Sequence, residues 1–223
     1  VLLTGFSAGM LACNCYVLAP RAGADAIVVD PGQGAFAPLR RILDEYRLTP
    51  AGVLLTHGHI DHMWSAQTVA DTFGCPVYIH PEDRHMLSDP IRGFGPRIAQ
   101  VALGALFREP KQVIELDHDG AVLELGGIGV VADHTPGHTR GSVVYRVADV
   151  GTDAAVAFTG DTLFKQSIGR TDLPGGSGRD LLGSIVSKIL VLDDETRVLP
   201  GHGPASTIGF ERRSNPFLEG LTL

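Results

Sequence analysis

Cysteine is scarce in this chain. Three thiols, Cys13, Cys15 and Cys75, stand among 223 residues, an odd set without zinc-finger spacing. That argues against a disulfide framework and suits free thiols in a reducing compartment, so a cytoplasmic setting is expected. Basic charge is thin as well: 18 Lys and Arg against 25 Asp and Glu leave a net charge of −7, with no basic cluster. A nucleic-acid partner is disfavoured on that balance. Long apolar runs are missing too. Val1 to Pro20 carries no charge, and Leu11-Ala12-Cys13 faintly resembles a lipoprotein cleavage site. No basic residue precedes it, however, and Thr4, Gly5, Ser7, Gly9 and Asn14 break its hydrophobicity. It is expected to be neither a signal peptide nor a membrane span, but a strand, a turn and a second strand at Cys15–Leu18. Nothing reads as a linker, a repeat or a low-complexity tract. With 44% apolar residues, one domain over residues 1–223 is expected.

What the chain does hold is a set of seven histidines and aspartates in four short segments, each following an apolar run. The densest is Thr56-His57-Gly58-His59-Ile60-Asp61-His62, after Val53-Leu54-Leu55. The others are Thr135-Pro136-Gly137-His138, Thr159-Gly160-Asp161-Thr162 and Pro200-Gly201-His202-Gly203. Imidazole and carboxylate are ordinary zinc ligands, and two ions would use them all. In extended backbone His57, His59 and Asp61 share a face. Gly58 removes bulk between the imidazoles and permits unusual dihedrals. Asp61 and His62 then open a helix through Trp64, Val69 and Ala70, so neighbours can face different ions. Plainer alternatives exist for single residues. Asp61 could cap a helix, Pro136-Gly137 and Pro200-Gly201 are ordinary turn pairs, and Asp161 could close an Asx-turn. Asp30, at the end of Val28-Val29, reads as a turn initiator or as support behind a ligand. His80, His85, His118 and His134 lack the pattern and read as surface or structural residues.

Strand-like runs fall at Ala26–Asp30, Gly52–Thr56, Val77–Ile79, Gln112–Leu116, Ala121–Leu125, Ile128–Ala132, Ser142–Val147, Ala154–Thr159 and Arg197–Leu199. Helical spacing is clearest at Ala37–Tyr46, Trp64–Phe73 and Asp180–Leu190. Strand clusters with helices between them predict sheets covered by helices. Asp89–Pro110 stands apart: it opens with Pro and Gly and turns mildly helical, which fits peripheral packing or a lid beside the site.

His57-Gly58-His59-Ile60-Asp61-His62, with His138, Asp161 and His202 in Gly-rich turns, resembles the metallo-β-lactamase superfamily from about Asp30 to His202. The resemblance implies an α/β (α+β) fold, a four-layer αββα sandwich with the ligands on loops at one edge of paired sheets. It also implies one metal on His57, His59 and His138 and a second on Asp61, His62 and His202, with Asp161 bridging. Two divalent ions are expected, zinc first, with iron or manganese also compatible. A bridging Asp161 argues against a true β-lactamase, because those enzymes lack it.

The segment Gly160-Asp161-Thr162-Leu163-Phe164, followed by Ser167-Ile168-Gly169-Arg170, is similar to the hydroxyacylglutathione hydrolases, the glyoxalase II group. That likeness implies hydrolysis of a small-molecule thioester, with a basic residue at Arg170 gripping a carboxylate of the thiol carrier; Lys165 is a second candidate. Two departures stand out: Asp172 occupies a position where an aromatic is usual, and the helical C-terminal domain of the larger enzymes has no counterpart before Leu223. Gly169-Arg170-Thr171-Asp172 and Glu211-Arg212-Arg213-Ser214-Asn215-Pro216 also resemble the persulfide dioxygenases, which use one iron at residues matching His57, His138 and Asp161. Short single-domain glyoxalase II-like hydrolases are the favoured reading. Persulfide dioxygenase, lactonase or other small-ester hydrolase, and an idle metal-binding protein are the alternatives. In the favoured reading, metal lowers the pKa of bound water to about 7. Asp61 and Asp161 would then orient the resulting hydroxide towards the carbonyl.

Overall fold

The computed structural model describes residues 1–90, 108–148 and 154–221. Of the segment Asp89–Pro110, which fits peripheral packing or a lid, residues 91–107 lie outside the described residues.

Alternation of small and branched apolar residues builds the strands. The first sheet runs in spatial order β1 (Leu2–Ala8), β2 (Cys13–Ala19), β3 (Asp25–Val29), β4 (Thr49–Leu54), β5 (Val77–Ile79) and β6 (Val113–Glu115). Its first three strands pair antiparallel and the later ones parallel. The second sheet contains β7 (Ala121–Leu125), β8 (Ile128–His134), β9 (Val143–Val147), β10 (Val156–Gly160), β13 (Arg197–Pro200) and β14 (Ser206–Thr207). Within it, β10 and β13 are parallel and the other neighbours antiparallel. A small hairpin, β11 (Leu163–Phe164) and β12 (Ser167–Ile168), stands by itself.

Period-two alternation sends each sheet's side chains into different cores. Leu18, Ile27, Val29 and Leu54 meet Ile128, Tyr145, Val156 and Phe158 between the sheets. The intervening Val17, Ala26, Val28 and Val53 face outward, onto α1 (Phe36–Tyr46) and α3 (Ala66–Phe73), through Leu39, Leu43 and Val69. On the far side Val144, Ala157 and Val198 pack against Leu181, Ile185 and Ile189, and against Ile208 of α6 (Ile208–Ser214). Strands buried on both faces explain runs such as Ala26–Val29, which read as continuously apolar. The result is helix, sheet, sheet, helix, as expected from the sequence.

Two expected helices differ in detail. The pattern from Asp61 to Phe73 forms α2 (Ile60–Met63) and then α3, split where Ser65 donates its N–H to the Pro31 carbonyl and its hydroxyl to the Gly32 carbonyl. The expected Asp180–Leu190 helix is α5 (Gly178–Ser184), with Ser177 accepting from the Asp180 N–H as cap, followed by a π-helical turn at Ile185–Ile189.

At one edge the sheets are tied to each other. Tyr145 donates to the Leu55 carbonyl at 2.8 Å, Tyr16 to the Pro200 carbonyl at 2.8 Å, and the Val143 N–H to the Thr56 carbonyl at 2.7 Å. The C-terminal ends of β3, β4, β8, β10 and β13 open at this edge, so the loops after them converge there.

Candidate metal centre

The loops leaving β4, β8, β10 and β13 carry the seven histidines and aspartates singled out in the sequence, and they meet. His57 Nε2 lies 3.1 Å from His59 Nδ1, which lies 2.8 Å from His138 Nε2. On the other side His62 Nε2 lies 3.2 Å from His202 Nε2, and Asp61 Oδ2 lies 3.2 Å from the same His202 nitrogen. Asp161 stands between the groups, with Oδ1 at 3.3 Å from His62 Nε2 and Oδ2 at 3.6 Å from His138 Nε2.

Ring orientation follows from what each second nitrogen touches. Asp30 accepts from His62 Nδ1 at 2.9 Å, and also from the Thr56 N–H and hydroxyl at 2.8 and 2.6 Å. The Thr56 hydroxyl thus spends its proton on Asp30 and accepts from His57 Nδ1 at 3.1 Å. His138 Nδ1 donates to the Arg170 carbonyl at 2.8 Å, and His202 Nδ1 to the Leu11 carbonyl at 3.0 Å. These assignments are inferred from the acceptors. They leave the Nε2 lone pairs of His57, His62, His138 and His202 directed at the interior. Asp30 is therefore the support behind a ligand rather than a simple turn residue. It holds that place at φ 47°, a strained conformation for a non-glycine residue.

Close packing dictates two glycines. A Cβ on Gly201 would stand 2.5 Å from both Asp161 Oδ1 and His62 Cε1. One on Gly58 would meet the Asp83 carbonyl and Met86 at 2.9 Å. Gly58 was expected to remove bulk between the imidazoles and permit unusual dihedrals; its φ is not positive, and the room it leaves is taken by Asp83 and Met86.

The two halves differ in charge. Burial, with the neighbouring imidazoles adding to it, holds His57 well below its ordinary range and brings His59 down to about 3. Burial opposes charge on His62 too, but Cys13, Asp161 and Asp30 outweigh it and raise this imidazole. His202 is raised in the same way by Asp61 and Asp161 against its burial. Both carboxyls are lowered despite burial, Asp61 by His202 and His62, Asp161 by His62, His138 and His202. The neutral imidazoles of His57 and His59 repel through facing lone pairs unless a cation sits among them, and the carboxylates that raise His62 and His202 are negative charge that a bound cation would neutralise. Asp161 Oδ1 is buried without a hydrogen-bond partner. Tetrahedral Zn–N bonds of about 2.0–2.1 Å would place ligand nitrogens about 3.3 Å apart, close to the separations here. The donor set fits divalent metal ions at both groups.

Two further residues of the sequence analysis sit outside the cluster. Arg170 is exposed and forms a two-pronged ion pair with Asp172, Nε to Oδ1 at 2.7 Å and Nη2 to Oδ2 at 2.8 Å. Lys165 is exposed in the β11–β12 turn, its Nζ 5.4 Å from the Phe210 ring centroid. In the Glu211–Pro216 segment, buried Glu211 accepts from the Gln166 N–H and from Asn215, while Arg212 and Arg213 pair with Asp194.

Sequence reasoning missed Asp83 and Cys13. Asp83, fully buried in α4 (Pro81–Arg84), accepts from the Gly58 N–H, the Thr139 hydroxyl and the Gly141 N–H at 2.7–2.9 Å. It joins the His57–His62 loop to the His138 loop. Cys13 has no local signal either, since its partners lie in distant segments.

Comparison with known proteins agrees with this geometry. Residues 8–202 match the family model described as the metallo-beta-lactamase superfamily. An uncharacterized protein of Mycobacterium tuberculosis is 71% identical over 223 residues, covering all of both chains. Hydroxyacylglutathione hydrolase GloC of Haemophilus influenzae is 36% identical over 194 residues, covering 87% of each chain. The crystal structure of BLEG-1 B3 metallo-beta-lactamase matches with a TM-score of 0.85 at 40% identity, over 98% of this chain and 100% of that one. With the matched segment spanning most of the chain and the loops that bear the seven histidines and aspartates converging as they do, this protein belongs to the metallo-β-lactamase superfamily.

Proposed function

We propose that the protein is a metal-dependent hydrolase that cleaves a thioester of the hydroxyacylglutathione type, using two divalent ions, zinc foremost. The observation that carries this reading is Asp161, whose two oxygens face the two ligand groups separately. Residues His57, His59 and His138 would hold one ion and Asp61, His62 and His202 the other. Such ions supply an acidified water and polarise the carbonyl. Asp61 and Asp161, both kept ionised, would orient that water. The departing thiol has a pKa of roughly 8.5 and leaves as thiolate, so no proton donor is needed. The likeness to GloC supports thioester chemistry. A second reading, β-lactam hydrolysis, draws support from the likeness to BLEG-1. The bridging place of Asp161 weighs against it.

Elemental analysis, combined with assays of S-lactoylglutathione, a chromogenic β-lactam and glutathione persulfide in an oxygen electrode, tests the proposal. The expected result is two ions per chain and thioester cleavage without oxygen uptake. One iron per chain with persulfide-dependent oxygen uptake and no thioester cleavage would overturn it, as would turnover confined to the lactam.

A further inference from the structure

Cys13 opens β2 with 2% of its surface exposed, yet it belongs to none of the three apolar clusters. Cys15 and Cys75, the other two thiols, both pack in the core between the first sheet and its helices. The surroundings of Cys13 are polar. Its Sγ and one ring nitrogen from each of His62 and His202 lie within 4.8 Å of one another.

The backbone holds the thiol there from both sides. Cys13 bridges to His202 across the strand ends. Just before it, the Leu11 carbonyl accepts from His202 Nδ1 at 3.0 Å. Just after it, the Asn14 N–H donates to the Gly201 carbonyl at 2.7 Å and Asn14 Nδ2 to the Pro200 and Gly203 carbonyls at 3.0 and 2.9 Å. The loop bearing His202 and the residue bearing the thiol are thus one unit. His62 and His202 have both committed Nδ1, to Asp30 and to Leu11, and turn Nε2 inward. Asp161 Oδ1, buried without a hydrogen-bond partner, lies 3.3 Å from the His62 nitrogen. Cys13, Asp61 and Asp161 thus all neighbour the same two imidazoles, His62 and His202.

We propose that Cys13 supplies a thiolate to the ion held by Asp61, His62 and His202, which makes this a mixed sulfur, nitrogen and oxygen position. The inference rests on the two-ion reading of the site. On binding, the ion takes the sulfur lone pair and the thiol proton leaves to solvent, so one bond forms, one breaks and no electron is transferred. A soft donor biases the position towards zinc-like ions and away from manganese or magnesium.

Cobalt(II) loading of the full chain is the test, because sulfur ligation produces a near-ultraviolet charge-transfer band that nitrogen and oxygen ligation does not. The band is expected in the wild type and in Cys15→Ala and Cys75→Ala, and it should vanish in Cys13→Ser and Cys13→Ala. Zinc affinity at one of the two positions should fall at least tenfold in the Cys13 variants, with manganese affinity little changed. If the Cys13 variants do not fold, the wild-type spectrum still decides. Two bound cobalt ions without the band overturn the role of Cys13 alone, whereas no cobalt binding overturns the metal reading with it.

Discussion

At the scale of single residues, the site is a set of donors whose free valences have been aimed by their neighbours. Asp161 stands between the two groups, and its carboxyl is held low by His62, His138 and His202 against the cost of burial. Asp161→Ala should therefore lose most turnover and at least one bound ion while the protein stays folded, as metal analysis and circular dichroism would read. Full activity in that variant would remove the bridging role. Arg170 is tied to Asp172 at the surface, so it must exchange that partner to hold a substrate carboxylate. If it does so, Arg170→Ala should raise KM by the loss of a charge-assisted contact, roughly 1.5–3 kcal/mol, with kcat nearly unchanged. An unchanged KM with a lowered melting temperature would assign Arg170 to structure alone.

At the scale of elements, α4 and the segment before it hold the two ligand loops together. Asp83 accepts from three donors on those loops. Asp83→Ala would leave buried donors unpaired at about 1–3 kcal/mol each. Thermal melting should drop accordingly, and metal affinity with it, about 10–100-fold by analogy with other residues that orient ligands. His80 precedes the helix, accepts from the Glu82 N–H at 3.3 Å and stacks on His134 at 3.9 Å between centroids. Burial, then His134, lowers its pKa against the pull of Asp83, Glu82 and Asp117. A lowered folded-state pKa means that the unfolded chain takes up the proton first as pH falls. The stability contributed by neutral His80 is thus present above about pH 6.5 and declines as pH drops below that value. The melting temperature of wild type minus that of His80→Gln should fall as pH is lowered from 7.5 to 5. A difference that rises instead would reverse the assigned direction.

At the scale of the molecule, the candidate centre joins the two sheets, since its histidines and aspartates follow β4 of one and β8, β10 and β13 of the other. Ions bound there should stabilise the sandwich as a whole. With free metal at 100 times its dissociation constant, each ion adds about 2.7 kcal/mol. For a chain of this size that amounts to roughly 10 °C or more for two ions. Chelation should lower the melting temperature by that order, readdition of zinc should restore it, and Asp161→Ala should show a smaller response. No response in the wild type would mean that the centre holds no ion tightly. Among the described residues no helix is long and apolar enough to cross a membrane.

The sequence by itself marked the seven histidines and aspartates that the fold brings together, most of the strands and the main helices, while the layer order came with the family resemblance those residues carry. Those signals are local: short apolar runs along β3 and β10, helical spacing in α1 and α5, and Gly or Pro turns that end each strand beside His138, Asp161 and His202. Asp30 was legible only as one of two alternatives, because its partner His62 lies 32 positions on. The tertiary structure decided the rest. It split the helix at Ser65, paired the short hairpin β11–β12, and brought Cys13 beside His62 and His202. It also placed Asp83 under two loops at once. A buried carboxylate or thiol takes its meaning from donors that reach it across folded sheets. Local propensity carries no record of contacts that form only when the two sheet edges close.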